Sequence, residues 1–77
     1  MTRAELKMLE RVFAAEIQGR LPFQSRAAMM KRLEVGGYVE RMERHFHPDR
    51  FGEIIVSGWA LTHLGRLTYC ASCEAND

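Results

Sequence analysis

Two adjacent glycines, Gly36 and Gly37, mark the point at which the hydrophobic rhythm of this chain changes. Before them, Met29 and Leu33 stand four residues apart with Ala28 and Met30 on the margins, the spacing of one helix face. After them, Tyr38 to Phe46 and Glu53 to Leu61 read as strands, separated by His47-Pro48-Asp49-Arg50-Phe51-Gly52. Proline fixes one dihedral of that separator, and aspartate and glycine tolerate the unusual ones. It therefore reads as a turn, and the two strands as an antiparallel hairpin. The glycine pair stops the preceding helix because glycine accepts the left-handed cap that other residues resist. Helix, glycine pair, hairpin is the frame that the rest must fit.

The flanks supply three further elements. Thr2-Arg3-Ala4-Glu5 matches a capping box, in which threonine oxygen and glutamate each satisfy a free N–H at a helix start. Leu6, Leu9, Phe13 and Ile17, with Val12 beside them, then form an amphipathic stripe that predicts a helix over Arg3–Gln18, closed at Gly19. Arg20–Gln24 is a connector, since Pro22 disfavours helix at Leu21; Leu21 and Phe23 are expected to tuck against the core. Ser25 is a natural N-cap, which predicts a second helix from Ser25 to Val35.

In the first strand, Tyr38, Met42 and Phe46 share an apolar spacing that Glu40 and Arg44 interrupt, which predicts a bulge or a solvent-facing outer half. In the return strand Ile55, Trp59 and Leu61 lie on one face and Ile54 and Val56 on the other. Gly58 marks either a bulge or a close backbone approach. Thr62 caps a last helix with Leu64, Leu67 and Cys70 or Ala71 as its apolar side, and Gly65 weakens it. Ser72–Asp77 reads as a frayed polar tail. The expected class is α+β, a single domain over residues 1–77 in the order helix, short connector, helix, β-hairpin, helix.

Charge bounds the function only loosely. A net charge of +1 gives the chain no strong overall field. Residues 20–50, however, hold seven basic and four acidic side chains, so the middle permits contact with nucleic acid. No apolar run is long enough to span a bilayer, and MTRAELKMLERVF lacks the apolar centre of a secretory signal. The expected location is the cytoplasm, with no membrane partner.

Two phrases carry a resemblance. Lys31-Arg32-Leu33-Glu34-Val35-Gly36-Gly37-Tyr38-Val39-Glu40 and Trp59-Ala60-Leu61-Thr62-His63-Leu64-Gly65-Arg66 are similar to the recognition-helix end and the wing exit of the winged helix-turn-helix superfamily, most like MarR- and PadR-type regulators. Together they cover a little over half of the residues. The resemblance implies a small winged-helix-like domain; this sequence departs from the family in its middle helix, whose place only Arg20–Gln24 occupies. The resemblance further implies that the Ser25–Val35 helix enters a DNA major groove while the 38–61 hairpin reaches the neighbouring backbone or minor groove. Double-stranded DNA is the expected partner and transcriptional regulation the expected role.

The candidate contacts are Arg20, Gln24, Ser25, Arg26, Lys31, Arg41, Arg44 and Arg50. Lysine and arginine suit phosphate contact, whose affinity falls with salt. The competing reading is a solvated face, since Glu34, Glu40, Glu43 and Asp49 interleave with them. Ala27 and Ala28 offer no hydrogen bond to a base edge. Together with the shortened middle helix they favour the alternative, a winged-helix protein–protein adaptor without DNA binding. A homodimer is also expected, because a short core gains from a partner, with the first or last helix as its natural surface.

His45, His47, His63, Cys70 and Cys73 are zinc-ligand types, yet the hairpin histidines and the cysteines lie at opposite ends of a nine-residue strand. That is on the order of 30 Å at strand rise, too far for one metal, although a site shared between subunits stays open. Cys70-Ala71-Ser72-Cys73 falls at a helix C-terminus, where no dipole activates a thiol, so Cys70 is expected packed and Cys73 exposed. Nothing supplies an oxyanion hole or a third orienting group for a pair such as His45 and Asp49, and so short a chain has little room for a substrate cleft. Neither an enzyme nor a cofactor is therefore expected. Trp59 reads as a core aromatic at the hairpin base, and the five methionines as core filler.

Overall fold

The structure, a computed structural model, describes residues 1–48 and 52–75. It contains α1 (Arg3–Ile17), α2 (Ala28–Val35), β1 (Val39–Phe46), β2 (Ile54–Leu61) and α3 (His63–Ala75). The molecule is a small α+β unit of three helices and a two-stranded antiparallel hairpin. Its extents are 50 × 23 × 17 Å, because the hairpin projects from the helices.

Thr2 starts α1 as expected. Its hydroxyl accepts from the Glu5 N–H at 3.2 Å, and the Glu5 carboxylate accepts from the Thr2 N–H at 3.0 Å. Leu9, Val12 and Ala15 form the buried line, with Phe13 half-buried beside Tyr69, their ring centroids 5.2 Å apart. Ile17, expected in the stripe, faces solvent at the last turn. Only the middle of α1 meets the core.

The second helix departs most from expectation. It begins at Ala28, three residues beyond Ser25, and Ala27 caps it without a side-chain hydrogen bond. The reason lies across the sheet. Phe23 exchanges backbone hydrogen bonds with Trp59, its N–H donating at 2.9 Å and its carbonyl accepting at 2.8 Å. That bridge holds the chain extended, and the Ser25 hydroxyl accepts from the Ala27 N–H at 3.2 Å in a local turn instead of starting a helix. Met30 and Leu33 are the buried residues of the short helix, with Met29 packed beside them.

The far end of α2 behaves as the glycine pair predicts. Gly37 has φ +84, the Tyr38 N–H donates to the Leu33 carbonyl at 2.9 Å, and the Gly37 N–H donates to Glu34 at 2.9 Å. These are the two bonds of a Schellman closure.

β1 and β2 pair in continuous register from Val39 opposite Leu61 to Phe46 opposite Ile54. The pairing contains no bulge, so Glu40 and Arg44 belong to a solvent-facing outer half. Val39 carries β1 into the core with Trp59 and Leu61. Gly58 is a close approach: a Cβ there would stand 2.6 Å from the Phe23 oxygen. The hairpin turn was expected at His47–Gly52; of it, Asp49, Arg50 and Phe51 lie outside the described residues.

Thr62 caps α3, accepting from the Gly65 N–H at 3.0 Å and donating to the Gly37 carbonyl. The expected apolar side of α3 is turned outward, with Leu64 48% and Leu67 55% exposed. Cys70, expected packed, is exposed as well. Gly65 explains the rotation. It is buried against Tyr38, so tightly that no side chain fits there, which leaves Leu64 beside rather than beneath that contact. The helix also runs through Ser72 to Ala75, where a frayed tail was expected; no glycine or proline interrupts that segment. Among the described residues no helix is long and apolar enough to cross a membrane.

Candidate nucleic-acid interface

The core fixes how the candidate residues stand to one another. Leu9, Val12, Met30, Leu33 and Val39 are its most deeply buried side chains, each contributing about 1.5–3 kcal/mol by leaving water. They hold α2 against β1, and the Phe23–Trp59 bridge holds the segment before α2 against β2. A groove of about 480 Å³ opens between these parts. Gln24, Ser25, Arg26, Lys31 and Arg41 all line it, with Trp59 among their neighbours. Five of the eight expected residues are thus brought together.

Arg20 and Arg44 are not in that groove. They line a second, larger one of about 690 Å³ at the C-terminal end of α1, and Gln24 borders both. Strand geometry accounts for the split. Successive side chains of β1 point to opposite faces, so Arg41 and Arg44, three residues apart, cannot share one. Leu21, Pro22 and Phe23 of the connector line the larger groove. Arg50 lies outside the described residues.

Arg11 was missed by the sequence reading. It lines the second groove together with Ala14, Ala15 and Gln18, the positions three, four and seven residues on, which is one face of α1. The pair of alanines beside a basic residue on that face is the signal that could have found it.

The cations differ in how free they are. The Arg41 guanidinium lies 5.2 Å from the centre of the Trp59 ring, and its Nε is 3.9 Å from a Glu34 carboxylate oxygen. Arg44 lies 6.0 Å from the centre of the Phe46 ring and donates to the Leu21 carbonyl at 3.0 Å. Arg11, Arg20, Arg26 and Lys31 have no ion pair or side-chain hydrogen bond among the described residues. Among the described residues that line the two grooves, only Glu43 is acidic. Arg32 lies on another side of α2, where its charge helps to hold the Glu5 carboxyl below its ordinary range, after the larger effect of the hydrogen bonds from Thr2.

Further out on the hairpin, His45 contacts the Glu53 carboxylate through Nδ1, while its Nε2 is 3.7 Å from Glu43. The hydrogen bond to Glu53, and then the two negative charges, raise its pKa above the usual histidine value. Among the described residues no three histidine, cysteine, aspartate or glutamate side chains converge as a metal site would need. No family model matches this chain, and neither does any curated protein or solved structure compared with it.

Proposed function

We propose that the protein is a small winged-helix-like module that binds duplex DNA as a homodimer, gripping phosphates more than reading bases. The observation that supports this most is the shared groove of Gln24, Ser25, Arg26, Lys31 and Arg41, in which Arg26 and Lys31 have no ion pair among the described residues. In this reading α2 is the helix presented to DNA and the β1–β2 hairpin is the wing. Gln24 continues the contact toward Arg20 and Arg44. The first turn of α2 offers Ala28 behind Ala27, neither of which bonds to a base edge, so affinity varies little with sequence.

The test is fluorescence anisotropy of a labelled mixed-sequence duplex, titrated with protein across a salt series. Micromolar binding that weakens steeply with salt is expected. No binding at low salt overturns the proposal.

A second reading, an adaptor that binds protein instead of DNA, has one observation in its favour. Val35, Leu64 and Leu67 expose apolar surface, and Leu64 stands beside the α2–β1 junction, where a Cβ on Gly37 would lie 3.7 Å from its Cδ2. Loss of DNA binding at low salt selects this reading.

A further inference from the structure

One face of the hairpin carries its charges in a row. Arg41, Glu43 and His45 stand opposite Trp59, Ser57 and Ile55, and alternate side chains of a strand share a face. Arg41 and Glu43 line the groove that holds Arg26 and Lys31, and His45 is the next position outward on that face. Among the described residues that line this groove, Glu43 alone is acidic. Its ion partner is His45, whose Nε2 lies 3.7 Å from it, and it makes no other ion pair among the described residues. The second ring nitrogen of His45, Nδ1, contacts Glu53, which stands just before β2. Among the described residues, Glu43 and Glu53 are the charges that bear on the imidazole, and Ile55 opposite it is apolar.

The ring has two states, and they treat Glu43 differently. A neutral imidazole carries one N–H. With that proton on Nδ1 it donates to Glu53, and Nε2 turns a lone pair toward Glu43, which then presents its whole charge to the groove. A protonated ring donates from both nitrogens and engages both carboxylates. Glu43 and Glu53 each bring one negative charge, so protonation halves the net charge of the three groups.

We propose that His45 makes phosphate binding in this groove pH-sensitive: protonated, it offsets the charge of Glu43, and neutral, it leaves Glu43 to repel the nucleic-acid backbone. The inference rests on the DNA reading of the preceding subsection and adds the regulation of that site. Binding takes up a proton, and affinity falls as pH rises through the His45 titration. The hydrogen bond to Glu53, and then the two carboxylate charges, raise that titration above the usual histidine value. A bound phosphate raises it again, which is the same coupling seen from the protein side. One elementary charge about 6 Å from a phosphate changes affinity by about threefold at the dielectric of water, and salt reduces the effect.

The test is anisotropy titration of the labelled mixed-sequence duplex at fixed ionic strength, from about pH 5.5 to about pH 8. Binding about threefold tighter at the acid end is expected. His45→Gln holds affinity at the weak, alkaline level throughout. His45→Arg, which keeps a positive charge, holds it near the acid level and keeps the test sharp if His45→Gln loosens the hairpin. Glu43→Gln tightens binding at the alkaline end. His63→Gln, on α3 and not among the residues lining the groove, leaves the profile of the unaltered chain. Three results overturn the inference while DNA binding stands: affinity independent of pH, a profile that survives His45→Gln and is lost in His47→Gln, or weaker alkaline binding in Glu43→Gln. Absence of binding at every pH overturns the DNA reading itself.

Discussion

Gly65 passes so close to Tyr38 that a Cβ on it would lie 2.1 Å from the Tyr38 carbonyl oxygen. Helix propensity alone favours alanine over glycine by about 1 kcal/mol in a helix interior. The contact reverses that sign. Backbone must move before any side chain fits, and the movement separates α3 from the start of the hairpin. Gly65→Ala is expected to lower stability by about 2 kcal/mol or more, the scale of overpacking in a filled site, read as a fall in the urea midpoint. A rise in the midpoint would show that the contact yields at no cost.

Glu16 and Arg66 join α1 to α3 through two contacts, one of them 3.0 Å from Nε. The hydrogen bonds from Arg66 hold the Glu16 carboxyl below its usual range, against a smaller opposing effect of burial. A carboxyl with a depressed folded-state pKa contributes stability that is present above its unfolded value and is lost as pH falls through the folded one. Both side chains are partly exposed, so the pair contributes at most about 1 kcal/mol. Glu16→Gln should therefore lower the melting temperature at pH 7 and leave it nearly unchanged at pH 2. Equal losses at both values would assign the effect to packing.

His45 gives the opposite slope. Its raised pKa favours the protonated ring between Glu53 and Glu43, so this contribution to hairpin order is complete below the unfolded pKa and is lost as pH rises through the folded one. Proton NMR titration should place His45 above the reference value of about 6.5, and Glu53→Gln should bring it down. A His45 titration that ignores Glu53→Gln would remove the hydrogen bond as the cause.

The proposed DNA contact separates free cations from tied ones. Lys31→Ala or Arg26→Ala should each lower the slope of log affinity against log salt by about 1, with similar losses on unrelated sequences. Arg41→Gln should change it less, because Arg41 must first leave Glu34 and the Trp59 ring. The anisotropy salt series decides. A larger effect at Arg41 than at Lys31 would place the contact on the hairpin alone.

Features written within a few residues of each other were legible in the sequence. The Thr2–Glu5 box, the Gly36-Gly37 closure and the Thr62 cap each depend on neighbours, and each formed as expected. The misreadings came from partners distant in the chain. Ser25 has the chemistry of an N-cap, but Phe23 is committed to Trp59, and the helix waits until Ala28. Leu64 and Leu67 have the spacing of a buried stripe, but Tyr38 admits only Gly65. The candidate contacts divided for a similar reason. Sequence order groups Arg41 with Arg44, while the pleat sends them to opposite faces.

The Thr62 knot has a mechanical consequence. Its hydroxyl bridges Gly37 to Gly65, and its N–H donates to Tyr38 at 3.1 Å, so both strands are fastened where they leave the helices. Further out, Phe23 bonds to Trp59 and Arg44 to the Leu21 carbonyl, so the hairpin is stayed by the connector as well as tied at its root. Eight residues at about 3.4 Å each make it a beam of roughly 27 Å, held at three points along its length. A shift of the connector is therefore carried along the hairpin toward its far end.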